Sequence, residues 1–223
     1  MNSIPLPTQF IYEFSIDQDL VDKSLEYFLS LDFKSVNSTK DSNSTEYLTL
    51  TGIDNKTGLP ITSFYHKELF DELQKCIDQV SEKHLKNQKL VICDSWVTRS
   101  KFGQQGQGHW HSWSVFSGLL YMTEQEKSHT IFSLEDPFFE KYKHPFGVRC
   151  VNYIPYNFSI KPVKGKLIIW DSSLSHRIGP VPEKNTRYTF AFNTWMTGNV
   201  SIYPTGNLIS NVVDVAQQHQ QTN

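Results

Sequence analysis

The sequence predicts an α+β protein, mainly β, in which two helices precede a run of short strands that close into a sandwich or barrel. Two amphipathic segments with helical spacing are confined to roughly the first 90 residues. From Leu90 onward, the runs LVICDSWVTR, SVFSGLLYM, HTIFSL, SIKPVKG, KLIIWD and RYTFAFNTWM are short, rich in β-branched and aromatic residues, and broken by Gly, Pro and polar turns. Aromatic residues make up 13% of the chain, with 15 Phe and 10 Tyr, a composition that suits a β-rich core better than a helical bundle. Helices and strands are segregated along the chain, so the helices are expected to buttress one sheet.

The first helix is expected over residues 17–31, DQDLVDKSLEYFLSL, where Leu20, Val21, Ser24, Leu25, Phe28 and Leu29 share a face and Asp17 is the cap. Residues 34–46 are rich in Ser, Thr, Asn and Asp and read as a loop. A short alternating stretch, YLTLTGI, follows, with a turn at Asn55 to Gly58. The second helix is expected over about 66–86, with Leu69, Phe70, Leu73, Cys76, Ile77, Val80 and Leu85 on its apolar face. A second polar loop is expected over 140–159, containing HPFGVRC and IPYN. The last residues, ending AQQHQQTN, read as a polar tail. At 223 residues the chain is expected to form a single domain over 1–205, with the helical buttress at about 15–88, the β core at about 90–200, and the tail at 206–223.

The formal charge of −2 provides no basic surface, so the electrostatic footprint of a nucleic-acid partner is missing. Cys76, Cys93 and Cys150 are odd in number, widely spaced and without a CxxC, which supports neither a disulfide framework nor a cysteine zinc site. The N-terminus MNSIPLPTQF lacks a basic region followed by an apolar run, and no stretch reaches the roughly 18 apolar residues of a membrane helix. A cytoplasmic protein with no membrane partner is the expectation.

Chemistry concentrates in four residues: His109 and His111 in GHWHSWS, His176 in WDSSLSHRIG, and Arg187 in NTRYTFAF. In a strand, residues two apart point to one face, so His109 and His111 can both aim into a barrel while Trp110 points away. His176 stands just after the apolar run KLIIW, where a strand exits, and can add a third imidazole from elsewhere in the barrel. Imidazole suits iron, zinc, copper and nickel alike. Arg187 supplies a permanently charged fork that matches a carboxylate, and Thr189, two residues on, shares its strand face and offers a hydroxyl. Tyr121, at the end of the strand after the histidine pair, could add a phenol to the same carboxylate.

The ordered motifs SW…G…HxH…SGxxY, a segment from Phe132 to Pro137, PVKGKLIIWDSSLSHRIGP and RYTFAFN resemble the 2-oxoglutarate/Fe(II)-dependent oxygenases of bacteria and their phages, over roughly residues 94–195. The resemblance implies a double-stranded β-helix, the jelly-roll barrel. It also implies Fe(II) and 2-oxoglutarate as cofactors, with dioxygen and a small-molecule or peptidyl substrate as partners. His109 would be the first metal ligand and His176 the distal one, while Arg187 with Thr189 would hold the far carboxylate of 2-oxoglutarate. The reaction implied is a hydroxylation with release of succinate and CO2.

The sequence departs from the wider pattern at His111, where most such oxygenases have Asp or Glu. Three arrangements follow. In the first, His111 itself completes an all-histidine face; in the second, it stands behind the ligands while Asp136 or Asp171 supplies an oxygen; in the third, the face has only two protein ligands. The preserved spacing of two favours the first. A cupin is the alternative: Gly103 is followed by five residues and then HxH, and Gly165 stands eleven before His176, as in the two cupin motifs. The cupin glutamate is replaced by Val115 and Phe116, however, and its asparagine by Pro180. Arg187, which a cupin dioxygenase or isomerase does not need, separates the two. A non-catalytic jelly-roll structural protein would bind no iron at all.

Overall fold

The computed structural model describes residues 10–31, 46–53, 60–61, 66–85, 89–106, 108–112, 114–134, 156–182, 185–196, 200–201 and 208–209. In chain order the elements are β1 (Ile11–Ser15), α1 (Gln18–Ser30), β2 (Glu46–Ile53), β3 (Pro60–Ile61), α2 (Lys67–Leu85), β4 (Leu90–Ser100), β5 (Phe116–Tyr121), β6 (Thr130–Leu134), β7 (Tyr156–Ile160), β8 (Lys166–Asp171), β9 (Ser175–Ile178), β10 (Arg187–Met196), β11 (Val200–Ser201) and β12 (Leu208–Ile209).

Both helices form where the periodicity places them. The Asp17 carboxylate accepts hydrogen bonds from the Asp19 and Leu20 amides at 2.8 and 3.1 Å, satisfying two of the donors that a helix N-terminus leaves free. Val21, Ser24 and Phe28 are buried, whereas Leu29, expected on that face, is exposed. On α2 the residues from Leu69 to Val80 named above are all buried.

The β1-β8-β5-β10-β4-β2-β3 sheet is seven-stranded, and a second sheet runs β7-β6-β9. Every ladder among these strands is antiparallel. Alternation along β10 assigns the two faces of the large sheet. Phe190 and Phe192 join Val21, Phe28, Leu69, Phe70 and Leu73 in a core under the helices. Ala191 joins Leu119, Tyr121, Ile168 and Trp170, which pack against Phe132 and Ile160 of the small sheet. Two antiparallel sheets closing over a shared core, with helices on the outer face of one, make the expected double-stranded β-helix.

A tight turn fixes the junction ahead of β8. Gly165, ahead of β8, has φ +84°, and a Cβ there would lie 2.7 Å from the Ile16 carbonyl. Its own carbonyl accepts the Ile16 amide at 2.8 Å, tying the end of β1 to the barrel.

The structure corrects several expectations. SIKPVKG is not one strand: β7 ends at Ile160 and Lys161–Gly165 form the turn before β8. Residues 156–159, read as part of a polar loop, belong to β7, because Asn157 and Phe158 pair with Ser133 and Phe132. Strands β1 and β9 were not anticipated. Within the stretch read as a tail, Leu208–Ile209 pair with Val200–Ser201. The turn at Asn55–Gly58 and most of the loops at 34–46 and 140–159 lie outside the described residues, as does Cys150. Cys76 and Cys93 are free thiols.

Candidate metal and carboxylate site

The histidine pair is not on a regular strand. His109 forms an isolated antiparallel bridge with His176 of β9: the His109 amide donates to the His176 carbonyl at 3.0 Å, and the His176 amide donates back at 2.9 Å. The His111 amide donates to the Ser172 carbonyl at 2.9 Å, extending the contact toward β8. The backbone here is extended enough for the spacing of two to keep both rings on one side, and Trp110 between them is 62% exposed. His176 lies within β9, past a turn at 172–174, rather than at the exit of the KLIIW strand.

One ring nitrogen from each of His109, His111 and His176 lies within 4.8 Å of the other two, a cluster able to hold a metal ion. Ring centroids are 4.5 Å apart for His109 and His176, 5.0 Å for His109 and His111, and 5.2 Å for His111 and His176. Burial is graded, with His109 exposed, His111 half-buried and His176 buried, so the cluster opens outward on the His109 side. Burial pushes both His176 and His111 down to about 4, which leaves them as neutral imidazoles, the form that ligates metals. His176 Nδ1 lies 3.1 Å from the Leu174 carbonyl, and that oxygen can only accept. The Nδ1 hydrogen is thereby fixed, and the Nε2 lone pair is left free. Trp170 packs edge-on at 4.8 Å from His176, and Trp96 lies 5.9 Å from His111.

Among the described residues the cluster holds no carboxylate. Asp171 is exposed, and its carboxylate accepts hydrogen bonds from the Ser173 amide and hydroxyl at 2.8 and 2.5 Å, so it caps the turn before β9. Asp136 lies outside the described residues.

Asp94 and Asn193 escaped the sequence reading. They are partners across the β4–β10 ladder. The Asn193 amide nitrogen lies 3.4 Å from both Asp94 Oδ2 and His111 Nδ1, and its oxygen accepts from Ser117 Oγ at 2.8 Å. Burial holds the Asp94 carboxyl above its usual range, against the lowering effect of Asn193 and the Ser95 amide. A charged residue inside the apolar run LVICDSW was the available signal, since a strand does not bury an acid without a partner.

Arg187 starts β10 and is wholly buried, on the same side of the strand as Thr189, Ala191 and Asn193. Nη1 donates to Ser128 Oγ at 3.2 Å and Nη2 to Thr130 Oγ1 at 3.3 Å, while Nε has no partner. The guanidinium carbon stands 5.6 Å from the Tyr121 ring. Tyr121 donates its phenol hydrogen to Thr130 Oγ1 at 2.7 Å, and Thr189 shares a hydrogen bond with Thr98. Burial lowers Arg187 to about 10 and raises Tyr121 to about 12, so at neutral pH the cation persists beside an uncharged phenol. No carboxylate among the described residues pairs with this cation. A buried guanidinium held only by hydroxyls is costly unless an anion completes it.

Residues 94–193 match the family model described as "Putative 2OG-Fe(II) oxygenase". No curated protein matches the chain in sequence. Solved structures share its fold at low identity. The non-heme α-ketoglutarate-dependent epimerase SnoN of nogalamycin biosynthesis is 13% identical, with a TM-score of 0.60 over 92% of this chain and 87% of that one. A Pseudomonas putida prolyl-4-hydroxylase is 14% identical, with a TM-score of 0.53 over 85% and 92%. HygX from Streptomyces hygroscopicus, solved with nickel and 2-oxoglutarate, is 10% identical, with a TM-score of 0.54 over 84% and 83%.

Proposed function

We propose that this chain, whose residues 94–193 match that oxygenase family, is a 2-oxoglutarate- and Fe(II)-dependent dioxygenase that hydroxylates a small-molecule or peptidyl substrate with release of succinate and CO2. The observation that carries the reading is Arg187: a buried cation with an unpartnered Nε and, among the described residues, no carboxylate partner, in the same barrel as three clustered imidazoles. A cupin without 2-oxoglutarate has no use for that cation.

The residues fit both groups. Neutral imidazoles are borderline ligands suited to iron, and His109, His111 and His176 would hold it. Arg187, assisted by Thr189 and Tyr121, would hold the distal carboxylate of 2-oxoglutarate. Iron, when bound, supplies the activation of dioxygen that oxidative decarboxylation of 2-oxoglutarate requires. The protein contributes the rest. Arg187 matches a carboxylate with a preorganised fork, so binding costs little reorganisation. The Leu174 carbonyl fixes the tautomer of His176, and the hydrophobic wall of Leu119, Ile168, Trp170 and Phe132 keeps water from the reacting centre. We also propose a single cytoplasmic domain over 1–205; the single-domain part is supported by the large sheet, which gives one face to the core under the helices and the other to the core between the two sheets.

Titrating 2-oxoglutarate into the Mn(II)-loaded protein calorimetrically, with Arg187→Ala as control, tests this. Saturable binding to wild type that weakens at least tenfold in the variant supports the reading. Binding indifferent to Arg187, or none, promotes the cupin.

A further inference from the structure

We propose that Trp170 is a second anchor for the co-substrate: its indole N–H donates a hydrogen bond to the keto-acid end of 2-oxoglutarate, while Arg187 holds the other end. The inference rests on the reading of the barrel as a 2-oxoglutarate site and deepens it by a residue.

A stranded donor carries the argument. Trp170 is buried, and its Nε1, like Arg187 Nε, has no hydrogen-bond partner among the described residues. Burying an N–H without an acceptor is unfavourable, and a phenylalanine would fill much of the same space without that cost. The neighbours of Trp170 do not share the defect. On the inner face of the large sheet Trp170, Ser117, Asn193 and Asp94 stand side by side in one cross-strand row. Ser117 bonds to Ser172 and Asn193, and Asn193 to Asp94. Of these four side chains only the indole is left unpaired.

Position decides what the donor serves. The Trp170 ring packs edge-on against His176 at 4.8 Å and Phe132 at 5.2 Å, and Asn193 of the same row meets His111. The row therefore stands at the level of the histidine cluster. The level of the guanidinium is set by Thr130, whose hydroxyl accepts from Arg187 Nη2 at 3.3 Å. Thr130 and Phe132 are two apart on β6 and both buried on its inner face, which separates the two levels by about 7 Å. A five-carbon diacid matches that interval: four C–C bonds of about 1.5 Å in a zigzag set its carboxylate carbons about 5 Å apart, and the terminal oxygens extend the reach to about 7 Å. Between the levels lies the row Ile168, Leu119 and Ala191, an apolar wall for the methylene carbons. The two unpaired donors thus stand at the two ends of one ligand, and a carboxylate oxygen is the acceptor that makes the stronger bond in a dry site.

Two measurements test this. In Zn(II)-loaded protein labelled with 15N at tryptophan, 2-oxoglutarate is expected to move the Trp170 indole proton resonance downfield. Through-space contacts with the Phe132 ring, and loss of the peak in Trp170→Phe, assign it. A resonance that saturating ligand leaves in place overturns the proposal and assigns the N–H to an aromatic ring face. By calorimetry, Trp170→Phe is expected to bind 2-oxoglutarate about 10- to 100-fold more weakly than wild type, while its Mn(II) affinity stays within about threefold. Unchanged 2-oxoglutarate affinity overturns the proposal. So does an equal loss of Mn(II) affinity, because the ring would then be supporting the histidines rather than the ligand. A wild type that binds Mn(II) but no 2-oxoglutarate would instead sink the oxygenase reading, and the inference with it.

Discussion

His109 and His176 exchange two backbone hydrogen bonds, at 3.0 and 2.9 Å, and their rings stand 4.5 Å apart. The bridge joins the segment before β5 to β9, so two side chains distant in sequence are held by backbone geometry rather than by their own contacts. A metal would find these two already assembled, with the entropy of bringing them together spent in folding. The rings differ in what else they do: His176 packs against Trp170 and Phe132, whereas His109 is exposed.

That difference separates metal binding from stability. His109→Ala removes an exposed ring and is expected to leave the urea midpoint of the metal-free protein nearly unchanged, while Mn(II) affinity drops by roughly 100-fold or more. His176→Ala empties a buried site and is expected to lose both affinity and about 1–3 kcal/mol of stability. Calorimetric Mn(II) titration beside urea melts decides it, and a His109→Ala protein that binds like wild type would remove His109 from the site.

Arg187→Met gives the opposite pairing. Replacing a buried cation that has no carboxylate partner among the described residues with an apolar chain of similar length relieves a desolvation cost. The melting temperature without ligand is therefore expected to hold or rise by a few degrees, while stabilisation by 2-oxoglutarate disappears. For wild type, ligand at a hundred times its Kd should add about 2.7 kcal/mol. A strongly destabilised Arg187→Met would mean that the guanidinium is structural.

Much of this was legible in the sequence. Helical spacing and the Asp17 cap gave α1 and α2 nearly to the residue, because apolar periodicity is the fold's own demand on a surface helix. Strands β4, β5, β6, β8 and β10 were legible for the same reason, being apolar and bounded by turn residues. Strand β9, SHRI, was not: a four-residue stretch with three charged or polar side chains becomes a strand only through pairing with β6. His-x-His was read as part of a strand, yet a single bridge holds it. Asn193 was hidden within RYTFAFN because its partners, Asp94 and Ser117, arrive from neighbouring strands.

Acid is expected to destabilise the metal-free protein well before carboxylates dominate. An unfolded imidazole takes up its proton near 6.5, whereas burial holds folded His111 and His176 down to about 4. Between those values the unfolded chain binds more protons, so stability present at pH 7 is lost as pH falls through that window. Together the two groups should contribute on the order of 2–4 kcal/mol, discounted for the half-buried His111. Urea midpoints at pH 7 and pH 5 measure it. Equal midpoints, or a loss retained in the His111→Gln/His176→Gln double variant, would assign the effect elsewhere.

Gly118 tests the packing that holds the barrel against its helices. It faces Phe192 across the β5–β10 ladder, and a Cβ there would lie 2.1 Å from the ring's Cζ. The ring has no simple retreat, because Phe192 is wholly buried and lies 6.4 Å from Phe190, which itself stacks on Phe28 and meets Phe70 edge-on. Gly118→Ala is therefore expected to cost about 1–3 kcal/mol despite improving local strand propensity. Phe192→Leu alone should also destabilise, by leaving a cavity. In the double variant the methyl group enters space that the smaller side chain vacates, so the two costs should sum to well below additivity. Additive losses in a urea-melt double-mutant cycle would mean that the glycine is required by its backbone rather than by the phenyl ring above it.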